Sequence, residues 1–76
     1  MRVAKVFSEV LGLSPDMITD TTSPDNTPQW DSMAAMNLVV ALEDEFDVRL
    51  STAEIVSMRN VAVVKRVLAA KGVADA

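Results

Sequence analysis

Asp31-Ser32 is the pair in this sequence best placed to do chemistry. It sets a hydroxyl beside a carboxylate, at the head of a run without Gly or Pro that continues through Phe46. Most residues of that run are good helix formers, and the segment before it is dotted with Pro15, Pro24 and Pro28. The pattern predicts a long helix opening at Ser32, with the serine in an N-cap setting. A helix N-terminus turns unpaired backbone N–H groups outward and favours an anion. Leu38, Val39, Leu42 and Phe46 form the apolar stripe of this helix, and Glu43, Asp44 and Asp47 fall off it, making the exposed side of its second half acidic. A hydroxyl at the helix head, above an acidic ridge, is a handle for attaching a group and presenting it to a partner. The plainer alternative is that Ser32 only caps the helix.

Little else in the chain is equipped for catalysis. Histidine is absent, which removes the commonest general base and the commonest metal ligand. Cysteine is absent as well, excluding disulfides and thiolate metal sites, and no Gly-rich phosphate cradle occurs. An autonomous enzyme is not expected. The net charge is −4, and no Lys or Arg falls between Lys5 and Arg49, an interval holding Glu9, Asp16, Asp20, Asp25, Asp31, Glu43, Asp44, Glu45 and Asp47. A nucleic-acid binder needs the reverse balance to neutralise phosphates, so basic protein partners are the expectation. For the scattered loop aspartates the plainer alternative is solubility.

The elements that must position Asp31 and Ser32 read as helices. Val3, Val6, Phe7 and Val10 recur at helical spacing from about Arg2 to Leu11, and Gly12 with Pro15 marks the stop. Residues 13 to 30, rich in Pro, Ser, Thr, Asp and Asn, read as a loop long for so small a chain. Leu13, Met17 and Ile18 are expected to pin its start to the core, and Asp16-Met17-Ile18-Thr19 to add a short helical turn. Ser51-Thr52-Ala53-Glu54 reads as a capping box opening a brief third helix to about Met58, with Ile55 and Met58 facing inward. Asn60 is the next N-cap. Val61, Val64, Val67 and Leu68 stripe a last helix ending near Lys71, with Gly72 as its stop, Lys65, Arg66 and Lys71 complementing its dipole, and Val73 to Ala76 fraying. The 76 residues are expected to form one domain, a four-helix bundle whose stability is roughly 4–11 kcal/mol by the per-residue rule. Half the residues are hydrophobic and only 4% aromatic, so the core is aliphatic. Neither a signal-peptide apolar region nor a membrane-spanning run is seen, and a cytoplasmic monomer is expected.

At this point the residues resemble a family. Asp31-Ser32-Met33 looks like the Asp-Ser-Leu attachment motif of acyl carrier proteins, and the tract Leu38 to Phe46 is similar to that family's second helix. The first helix followed by Gly12-Leu13-Ser14-Pro15-Asp16, and the long loop after it, fit the same pattern. The resemblance implies an all-α acyl-carrier-like bundle with a short third helix. It also implies 4′-phosphopantetheine joined to Ser32 by a transferase using coenzyme A, with Mg²⁺ near the Asp31 position. The arm's thiol would hold an acyl or aminoacyl-type intermediate as a thioester for acyl-activating or acyl-transferring enzymes of a fatty-acid, polyketide or other specialised pathway.

Further site residues follow from the same resemblance. Met33, Met36 and Val40 lie off the core stripe of the long helix, or else merely extend it; by the resemblance they would form, with Asn37, Glu43, Asp44 and Asp47, the face that docks partners. Leu38, Val39, Leu42, Phe46, Ile55, Met58, Val61 and Val64 would be core and line the cargo cavity. The sequence departs from the family in two places. Ala34 and Asn37 stand where carriers of fatty-acid synthesis often have acids, so the first half of the helix is expected to dock by apolar contact. Trp30 replaces the small residue usual before Asp-Ser, and either packs against the loop or touches the arm or a partner. The alternative function is an unmodified acidic helical adaptor docking a basic protein. A helix-turn-helix regulator is disfavoured by the charge.

Overall fold

Val3, Val6 and Phe7 share one side of a helix, and burying that side is what folds the first segment onto the rest of the chain. The computed structural model describes residues 2–73, all-helical with four α-helices and no strand among them. Helix α1 (Arg2–Leu11) buries Val3, Ala4, Val6, Phe7 and Leu11. It stops at Gly12, whose φ of +71° is open to a residue without a Cβ. The Gly12 and Leu13 N–H groups both donate back to the Ser8 carbonyl.

A single 3₁₀ turn at Pro15–Met17, capped by Ser14, opens the long loop. It lies slightly earlier than expected because Pro15 suits the first helical position and Ser14 supplies the cap. Ile18 is buried and Leu13 half-buried, pinning the loop as expected. Met17 is not: it is 61% exposed. The loop then crosses to the head of the last helix, α4 (Val61–Ala70). There the Asp20 and Thr22 carbonyls accept the Ala62 and Val61 N–H groups, both at 3.1 Å. The Asn60 side chain accepts from the Val63 N–H, and Lys65 pairs with Asp20 at 2.6 Å. The first turn of α4 thus finds its acceptors in its own cap and in the loop.

Helix α2 (Ser32–Phe46) buries Ala34, Leu38, Val39, Leu42 and Phe46. It packs chiefly on α1. Arg2 bonds Glu45 at 3.1 Å and lays its guanidinium 4.6 Å from the centre of the Phe46 ring, while Phe7, farther along α1, meets Trp30 just before α2 begins. The two helices therefore run antiparallel. Asp47 ends α2 in a left-handed conformation, φ 52° and ψ 51°, that acidic and amide side chains tolerate better than most.

Short α3 (Thr52–Ser57) has no buried residue. Its capping box is complete: Ser51 Oγ accepts the Glu54 N–H, and Glu54 accepts the Ser51 N–H at 2.8 Å. Ile55 and Met58 are half-buried, Met58 packing on the core. Glu54 also pairs with Lys71 at 2.9 Å, tying α3 to the end of α4. The Ser51 N–H first, then Lys71, hold the Glu54 carboxyl below its ordinary range. Lys65 and Lys71 therefore serve ion pairs to other elements of the fold rather than the α4 dipole alone. Val61, Val64 and Leu68 are buried and Val67 half-buried. Gly72 takes a left-handed φ of +89°. Val73 bonds the Leu68 carbonyl instead of fraying, and residues 74–76 of the expected frayed end lie outside the described residues.

Candidate functional site

The head of α2 is set from the chain side by Trp30. Its backbone N–H donates to the Thr27 carbonyl at 2.9 Å, closing a turn, and the residue is only 5% exposed. It meets the Phe7 ring edge-on, with centroids 5.1 Å apart and planes at 67°, an arrangement aromatic pairs prefer. The tryptophan is thus fastened to α1, not merely to the loop, and it immediately precedes the Asp31 cap.

Asp31, not Ser32, is the N-cap. Its backbone is extended, its Oδ1 accepts the Ala34 N–H at 2.9 Å, and its carbonyl accepts the Ala35 N–H at 2.9 Å. Both residue types cap well, but the carboxylate one position earlier also complements the helix dipole. The capping expected of Ser32 therefore falls to its neighbour. Ser32 becomes the first helical residue, exposed, and its hydroxyl has no hydrogen bond among the described residues. The Ser32 and Met33 N–H groups occupy the positions where an α-helix offers no internal acceptor. A free hydroxyl beside these donors is open to attachment of a phosphate ester, whose negative charge the helix end favours.

A cleft of about 300 Å³ opens beside the serine, lined by Pro24, Trp30, Asp31, Ser32 and Ala35. Pro24 and Ala35 carried no signal of this in the sequence. Pro24 reaches the site through the path of the loop, and Ala35 matters by being small.

Met33, Met36, Asn37 and Val40 fall at i, i+3, i+4 and i+7, and all are exposed, with Met33 at 75% and Met36 at 65%. Asp44 and Asp47 continue the same ridge and are exposed. Glu43 differs from expectation. It is half-buried, and its carboxylate accepts the Leu50 N–H at 2.9 Å, stitching the connector after α2 onto the helix. Ala34 is buried against the core, so the absence of an acid there reflects packing and adds nothing to the exposed face.

Of the residues expected around a cargo, Leu38, Leu42, Val61 and Val64 are at most 1% exposed, and Val39 and Phe46 are buried. Met58 also lines a surface cleft of about 340 Å³ with Pro24, Asp25 and Arg59. Among the described residues no helix is long and apolar enough to cross a membrane.

A protein-family model described as "Phosphopantetheine attachment site" matches residues 2–68, nearly the whole chain.

Proposed function

The chain belongs to the phosphopantetheine-attachment-site family, and on that premise we propose that it is an acyl carrier with Ser32 as its attachment residue. When bound, 4′-phosphopantetheine supplies a terminal thiol that holds an acyl or aminoacyl-type cargo as a thioester. The protein's own part is to present the hydroxyl, steady the anionic ester and offer a docking face; it catalyses no reaction itself. The observation that carries the assignment is the unengaged Ser32 hydroxyl, left free because Asp31 does the capping. The helix end favours the ester's charge by about 0.3–1 kcal/mol. No histidine is present to activate Ser32, so the general base belongs to the phosphopantetheinyl transferase.

Partner enzymes of a fatty-acid, polyketide or other specialised pathway would dock on Met33, Met36, Asn37 and Val40, with Asp44 and Asp47 meeting basic groups. An apolar cargo would be sheltered by Leu38, Val39, Leu42, Phe46, Ile55, Met58, Val61 and Val64. The half-buried Ile55 and Met58 are the natural point of entry, since the other six are already buried. On this reading the protein acts as a monomer in the cytoplasm, where coenzyme A meets the transferase.

Incubation with a broad-specificity transferase, coenzyme A and Mg²⁺, read by intact-protein mass, tests the proposal. Wild type should gain one phosphopantetheine and Ser32→Ala none. An unchanged wild-type mass with a transferase of verified activity would overturn it in favour of an unmodified acidic adaptor.

A further inference from the structure

The cleft of about 300 Å³ at the head of α2 adjoins Ser32 itself. Three of its five lining residues, Pro24, Trp30 and Ala35, are apolar, and Ser32 itself forms part of the wall. Anything bonded to Ser32 Oγ therefore begins at the edge of an apolar recess. Resting on the carrier reading of Ser32, we propose that this cleft seats the proximal part of the arm, the branched segment with paired methyl groups that follows the phosphate.

The match is one of chemistry, size and rigidity. A phosphate on Ser32 would sit at the positive end of α2, and a single CH₂ beyond its ester oxygen separates it from the carbon bearing the two methyl groups, close to where the polar helix head gives way to Trp30 and Pro24. About 300 Å³ is at the small end of ligand pockets, enough for a fragment of the arm and not for the arm with its cargo. The walls are already fixed: Trp30 is held by Phe7 and Thr27, and a proline ring has little freedom, so little order has to be imposed on binding. Ala35 leaves the space that a larger side chain would fill. Trp30 and Ala35 are thereby positioning residues that turn the base of the arm toward the loop. The Met33–Met36–Val40 ridge stays clear for partners, and the thiol end remains outside the cleft.

The test compares wild type, Ala35→Leu and the exposed-rim variant Pro24→Asp, each with and without the arm loaded from coenzyme A. Intact mass reads attachment. Trp30 is the sole tryptophan and tyrosine is absent, so intrinsic emission reports on the cleft wall. Proton NMR reads cross-relaxation between the arm methyls and the Trp30 indole. Loaded wild type should show that cross-relaxation and a shifted emission maximum. In the loaded fraction of each variant, identified by its mass, the methyl signals should lose contact with the indole and return to their positions in free phosphopantetheine. Pro24→Asp keeps the test valid should Ala35→Leu fold poorly. Complete mass gain in wild type without the cross-relaxation overturns the seat alone, and so does cross-relaxation that survives in the folded variants. No mass gain in wild type overturns the carrier reading itself.

Discussion

Capping by Asp31 rather than Ser32 can be tested by removing each side chain in turn. Asp31 Oδ1 accepts the Ala34 N–H at 2.9 Å, so Asp31→Ala strands one helix-end donor. Loss of an N-cap costs about 0.5–2 kcal/mol, typically near 1. Against a total of roughly 4–11 kcal/mol for a chain of this length, that is a measurable share. In a domain of this size about 1 kcal/mol moves the melting temperature by about 4–8 °C. Asp31→Asn retains an acceptor oxygen and forfeits only the charge–dipole part, about 0.3–1 kcal/mol. Ser32→Ala removes a hydroxyl without a partner from an exposed first-turn position, so its effect should stay within about 0.5 kcal/mol. Circular dichroism melts with parallel urea titrations should therefore rank Asp31→Ala as the most destabilised and Asp31→Asn between it and wild type. Ser32→Ala should overlay wild type while losing all capacity for the arm. A Ser32→Ala protein destabilised by about 1 kcal/mol beside an undisturbed Asp31→Ala would refute this reasoning and return the cap to the serine.

Leu42 is fully buried, and Leu42→Ala should cost about 2–5 kcal/mol, read as a lower urea midpoint; a loss below about 1 kcal/mol would mean that the core collapses to fill the space. The lowered Glu54 carboxyl sets a pH dependence: native Glu54 holds its proton less tightly than in the unfolded chain, so its contribution is complete above its ordinary value of 4.5 and is lost as pH falls through the lower native value. Wild type should lose more stability than Glu54→Gln across that acid window, and parallel melting-temperature curves would contradict the assignment. On the α2 ridge, Met36→Ala should weaken partner binding by a similar factor at low and high ionic strength. Asp44→Asn should matter chiefly at low salt, since exposed pairs contribute under about 1 kcal/mol and are screened; a dominant Asp44→Asn beside a silent Met36→Ala would mean the apolar half does not dock.

What the sequence determined by itself is whatever depends on near neighbours along the chain. Apolar residues three and four apart placed the helices, Gly12 and Gly72 stopped two of them, and Ser51 with Glu54 announced a capping box, because each involves groups a few residues apart. Asp31-Ser32-Met33 and the tract to Phe46 marked the family for the same reason. The sequence also placed Met33, Met36 and Val40 off the buried stripe, where they are exposed. Tertiary structure fastened Trp30, one residue before the Asp31 cap, to Phe7 of α1. It turned Glu43 inward to the Leu50 N–H, and it drew Lys65 and Lys71 to Asp20 and Glu54. It buried Ala34 and brought Pro24 beside Ser32. In each of these cases the partner lies on another element or across a loop, and which partner is met depends on how helices and loop are packed in space, information that no local period or spacing contains.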